Sequence, residues 1–234
     1  MLRINAHSQR GAEREQNEDC LGIMKWRNHN EEADSVCMEI AFSDLPALFL
    51  LADGMGGHEN GEIASKTAID TISHEFDLTP NDFNVSSAVM EAHEALQSMP
   101  QASWRAMGTT IVGIYIGESE ASIFNVGDSK AYRVRDNAIE QLSIDDVSAG
   151  TRNTNLLQCL GGGVKRPKAH LFDVAYRSGD IFVLLSDGVS DCLSDREILD
   201  TVSTASEKSA CWLCDNAVKA GSGDDASAIC ITCT

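Results

Sequence analysis

The sequence predicts an α+β fold in which antiparallel sheets are covered by separate helical layers. Three observations predict it. Residues 109–116, 121–126 and 131–134 are successive β-branched segments with no helical pattern between them, whereas a parallel sheet needs a crossover between neighbouring strands. The continuous apolar runs 48–52 and 181–185 stop at Asp53-Gly54 and at Ser186-Asp187-Gly188, the length and the stop of strands buried on both faces. Helical periodicity lies before and after the strand run, not between its members.

Each element has a local reason. Residues 20–25 read as a strand, and 27–43, polar and weakly patterned, as a loop or hairpin. Over 61–76, Ile63, Ile69, Ile72 and Phe76 recur near helical spacing and predict an amphipathic helix. Residues 85–97, rich in Ala, Glu and Met, predict a second. Asp136-Asn137 marks a turn into a strand at 139–142. Ser194 and Glu197 have capping-box spacing and open a helix to about Val202. The last helix is 209–220 with Gly221 as its stop, and 226–232 closes the chain as a strand. With no linker or repeat, 1–234 reads as a single domain.

Composition removes several function classes. A hydrophobic content of 43% is ample for a core, so disorder is not expected. The formal charge of −18 repels nucleic acid and anionic membranes, and neither is expected as a partner. The first residues carry no apolar signal core, and no stretch approaches the ~18 apolar residues of a membrane span. The expectation is a cytoplasmic protein with its eight cysteines reduced.

Chemistry is suggested by acids at strand ends: Asp19, Asp53, Asp128, Asp187 and Asp224. If the fold gathers them, they repel one another until cations enter, and hard divalent metals prefer such oxygen ligands. Taken singly, the segments are ordinary. Arg14 to Asp19 reads as a solvated turn, Asp53 to His58 as a tight loop before a helix, and Gly127-Asp128 as a hairpin turn. Calcium-loop, dinucleotide and P-loop spacings are absent.

Taken together and in order, they are specific. The blocks 14–19, 53–65, Gly108-Thr109-Thr110, 125–132, 184–188 and 224–227 resemble the metal-dependent serine/threonine protein phosphatases of type 2C, in their short bacterial form, from about Ser8 to Ile231. The resemblance implies a four-layer α-β-β-α sandwich, two stacked antiparallel sheets flanked by helices, with metals at one end. It implies that Asp53, Asp187 and Asp224 are carboxylate ligands of two manganese or magnesium ions, with the Gly54 carbonyl completing one side. Glu18 and Asp19 would hold the site directly or through water, and Asp128 with Asp187 would hold a weaker third metal.

The implied activity is hydrolysis of phosphoserine and phosphothreonine in proteins by a metal-activated water, without a protein nucleophile. Arg14 would grip the phosphoryl oxygens. His58 is the candidate proton donor to the leaving oxygen, the alternative being a loop histidine that only binds water or substrate. The implied partners are phosphorylated proteins and an opposing kinase, and the implied state a monomer. A second reading is a catalytically weak, phosphatase-like module that binds phosphoproteins. Two departures from the pattern bear on the choice: Asp225 stands where the family usually has Asn, and the flap is cut down to a short polar segment, 143–158.

Cys211, Cys214, Cys230 and Cys233 form two CxxC pairs with the spacing of a zinc site. The first pair falls on a predicted helix and shares a face; the second falls on a strand, where i and i+3 point to opposite faces. Buried apolar thiols are the expected outcome.

Overall fold

The computed structural model describes residues 1–28, 33–55, 60–99, 107–148, 156–204 and 206–234. In chain order the elements are β1 (Leu2–Gln9), β2 (Asp19–Ile23), β3 (Trp26–Arg27), β4 (Ala33–Ile40), β5 (Ala47–Met55), α1 (Asn60–Leu78) and α2 (Val85–Ser98). There follow β6 (Gly108–Thr109), β7 (Ile111–Ile116), β8 (Glu120–Val126), β9 (Lys130–Arg135), β10 (Ala138–Gln141), β11 (Leu160–Gly161) and β12 (His170–Ala175). The chain closes with β13 (Ile181–Leu185), α3 (Asp187–Ser190), α4 (Asp195–Val202), α5 (Ser209–Ala220) and β14 (Ala226–Cys233).

One sheet runs β10-β9-β13-β14-β1-β4; the other runs β11-β6-β5-β7-β8-β12, with β2 also on β5 and β3 on β2. Every strand pair is antiparallel. The strand period of two builds the layers. On β5, Phe49 and Leu51 face the other sheet while Leu48, Leu50 and Ala52 face α1 and α2. On β13, Phe182 and Leu184 face between the sheets while Val183 and Leu185 face α4 and α5. Both apolar runs are therefore buried on both faces, as their composition predicts, and each large side chain so buried contributes about 1.5–3 kcal/mol. The arrangement is the expected four-layer sandwich.

The structure corrects the expected elements chiefly at an edge of each sheet. Residues 27–43 are not a loop: they contain β4, an edge strand paired along its whole length with β1. β1 itself lies between β14 and β4, although its sequence is mostly polar. Its only apolar residues, Leu2, Ile4 and Ala6, join the core between the sheets, while Asn5, His7 and Ser8 are buried with polar partners. β12 is likewise an edge strand, mostly exposed. The predicted strand 109–116 breaks at Thr110 into β6 and β7. The capping box is present, with Ser194 accepting from the Glu197 backbone and Glu197 accepting from Ser194.

The two CxxC pairs do not converge. Cys230 packs toward α5 and Cys233 toward the other sheet, while Cys214 is buried and Cys211 half-exposed. Burial pushes the Cys230 and Cys233 thiols up to about 12. Among the described residues no helix is long and apolar enough to cross a membrane.

Candidate metal centre

The acids meet where the ends of β2, β5, β13 and β14 come together. Asp19 and Asp53 lie directly opposite one another on neighbouring antiparallel strands. Asp187 lies near enough to raise Asp53 by its charge. Asp187, opening α3, is repelled by Asp224 and in turn repels Asp128. Five acids spread over the chain are thus brought to one end of the sandwich.

Their electrostatics follow from this crowding. Burial, and then the charges of Asp225 and Asp187, hold Asp19 well above the usual carboxylate range. Asp53 is raised by burial and then by Asp19 and Asp187. Asp187 is raised by burial and by Asp224, and Asp128 is pushed up to about 6 by burial and by Asp187. Glu18 is raised by burial, against the pull of Arg14.

Both carboxylate oxygens of Asp19 and one of Asp187 are buried without a hydrogen-bond partner among the described residues. A buried carboxylate left unpaired is costly by several kcal/mol. Only cations satisfy several such groups at once, so these residues fit divalent metals. Among the described residues, no three acidic, histidine or cysteine side chains stand close enough together to hold an ion without adjustment. Asp224 shows what must adjust, because Arg14 grips it with two parallel bonds, Nε to Oδ1 at 2.6 Å and an amino nitrogen to Oδ2 at 2.5 Å.

The backbone around the acids is tightly fixed. Thr110 Oγ1 accepts the Asp53 N–H at 3.0 Å, the Thr110 N–H donates to the Asp53 carbonyl at 2.9 Å, and Thr109 Oγ1 donates to the same carbonyl at 2.8 Å. This is the structural reason for the Gly108-Thr109-Thr110 block. Gly54 has no room for a side chain: a Cβ there would come 2.1 Å from the Gly61 carbonyl oxygen and 2.7 Å from that of Glu18. Gly54→Ala is therefore expected to destabilise the protein by about 1–3 kcal/mol and to weaken manganese activation. An unchanged melting temperature and activation constant would contradict the close packing.

Two positions were not singled out by the sequence. Asp146, buried in the polar segment after β10, accepts from the Gly127 N–H at 2.9 Å, Gln158 Nε2 at 2.8 Å and His170 Nε2 at 2.9 Å. It ties Gln158 and His170 to the turn that carries Asp128, and an antiparallel bridge joins Val147 to Leu156. Lys130 Nζ reaches Ser190 Oγ at 3.1 Å and Asp191 at 3.3 Å, joining the same turn to α3. Nothing in single-sequence pattern marks either residue, since their partners are distant in the chain. His58 lies outside the described residues.

The family model for protein phosphatase 2C matches residues 34–220, and the chain belongs to that family. The serine/threonine protein phosphatase PstP of Mycobacterium tuberculosis is 28% identical over 204 residues, covering 78% of this chain. The chain spans 39% of that relative's length. The serine/threonine phosphatase Stp of Listeria monocytogenes is 29% identical over 210 residues, covering 78% of this chain and 82% of the relative. A crystal structure of the PstP catalytic domain in complex with two manganese ions superposes with a TM-score of 0.77 at 28% identity, covering 99% of each chain.

Proposed function

We propose that this chain is a protein serine/threonine phosphatase that hydrolyses phosphoserine and phosphothreonine at a two-metal centre holding manganese or magnesium. The observation that carries the reading is the gathering of Asp19, Asp53, Asp187 and Asp224, with buried oxygens of Asp19 and Asp187 that have no partner among the described residues. No acidic position is lost, which favours hydrolysis over phosphoprotein binding alone. The two manganese ions of the PstP catalytic domain support the same choice of metal.

Asp53, Asp187 and Asp224 would hold the pair with the Gly54 carbonyl, Asp19 and Glu18 would support it, and Asp128 with Asp187 would take a weaker third ion. A bound pair of divalent cations supplies a water nucleophile at neutral pH and neutralises the charge that builds on the phosphoryl oxygens. Arg14 binds and orients the phosphoryl group. Its guanidinium already makes a planar two-bond grip, on the Asp224 carboxylate, and a phosphoryl group accepts the same fork. His58 is assigned the proton that the leaving serine or threonine oxygen takes up. The surrounding unit is 1–234 as one catalytic domain with a shortened flap, read as a cytoplasmic monomer opposing a serine/threonine kinase.

Two measurements test this. A phosphothreonine peptide is turned over with manganese or magnesium and not with chelator; no turnover under any metal would refute the reading. Arg14→Ala raises KM about tenfold with a smaller change in kcat, the signature of lost binding, and an unchanged KM would remove Arg14 from the phosphate site.

A further inference from the structure

Asp225 stands beside Asp224, and its carboxylate is taken up by backbone amides. It is 3% exposed. Its Oδ1 accepts the Gly11 N–H at 2.8 Å and its Oδ2 accepts the Glu18 N–H at 2.7 Å. Both donors belong to the segment between β1 and β2, which has neither strand nor helix pairing to hold it. One carboxylate therefore pins both ends of a loop that carries Arg14 in its middle and Glu18 at its end.

The loop lies directly on the turn before β14. The Glu13 N–H donates to the Gly223 carbonyl at 3.0 Å, and a Cβ on Gly11 would fall 2.3 Å from the Asp224 carbonyl carbon. The Asp225 N–H in turn donates to Asp224 Oδ1 at 2.8 Å, the oxygen that Arg14 Nε also reaches. Asp225 thus joins the Arg14 loop, Glu18 and Asp224 in one rigid connection.

Two backbone N–H groups need two acceptors, and the Asp225 side chain supplies both through its two oxygens. An asparagine offers one acceptor and one NH2, so one of the two amides would face a donor. The cost of placing a further negative charge here is visible, because Asp225 is among the groups that raise Asp19 and Glu18.

We propose that Asp225 is a positioning residue: it staples the Arg14 loop to the metal-ligand turn and thereby sets the affinity for the phosphoryl group. This rests on the phosphatase reading above. Asp225→Asn, nearly identical in shape, is expected to raise KM for a phosphothreonine peptide about tenfold, with kcat at saturating manganese changed less than about threefold. In an Arg14→Ala background the same substitution is expected to add less than about twofold, because Asp225 acts through Arg14. An unchanged KM, or fully additive effects in the two backgrounds, would overturn the proposal.

Amide hydrogen exchange separates this from the fate of the phosphatase reading and needs no folded variant. In the wild-type protein the Gly11 and Glu18 amides are expected to exchange slowly despite lying in a loop. Rapid exchange of both would overturn the staple even in an active enzyme. Absence of turnover in the wild type would defeat the phosphatase reading and with it the proposal, whatever the exchange shows of the staple itself.

Discussion

Asp187→Asn lowers turnover by on the order of a thousandfold, about 4 kcal/mol of transition-state stabilisation. Asp187 is linked to every other acid of the centre: it is repelled by Asp224 and raises Asp53, Asp128 and Asp19. Its buried Oδ1 has no hydrogen-bond partner among the described residues. An asparagine keeps the shape and removes the charge that draws a divalent ion. The same substitution relieves the repulsion that the acids exert in chelator, so the metal-free variant is expected to melt above metal-free wild type. Gain in stability with loss of function is what a destabilised active site predicts. Near-normal turnover of the variant would contradict the assignment of Asp187 as a ligand.

Manganese raises the melting temperature, and the rise is larger at about pH 8 than at about pH 5. The sign follows from the carboxyls of the centre, which are raised in the folded chain by burial and by one another. A group whose folded pKa lies above its unfolded value contributes stability that is complete below the unfolded value and is lost as pH rises through the folded one. For Asp128 that window runs from 3.8 to about 6. The chelated protein therefore loses stability across this range as the acids ionise against one another, and bound cations remove the loss. At a thousand times Kd the gain is about 4 kcal/mol, or about 10 °C for a chain of this size. A manganese shift independent of pH, or none, would contradict the mutual repulsion of these groups.

The sequence was legible where one local cause decides an element. The two-faced apolar runs of β5 and β13 stop at Asp53 and before Asp187, so their position and the acids at their ends were both readable. The capping box of α4 and the Asp136-Asn137 turn were readable for the same reason. β1 and β4 were not, because each brings apolar side chains to the core on one face only and carries polar residues on the other, which in β1 are buried against α5. Their pairing is decided by partners elsewhere in the chain. Within the site, the acids stood out by type and by their glycine neighbours. Thr110, Asp146 and Asp225 act through hydrogen bonds to backbone groups far away in sequence, and no spacing records such a bond. Asp225 was visible as a departure from the family pattern, but its work as a two-amide acceptor appears only in three dimensions.

Acids from separate segments converge, and a pair of divalent ions is expected where they meet. Equilibrium titration of the chelator-stripped protein with manganese is the decisive measurement. Two ions per chain are expected to bind with high affinity, falling to one or none in Asp187→Asn. A wild-type protein that binds no manganese, or that binds it equally well without Asp187, would refute the two-metal centre.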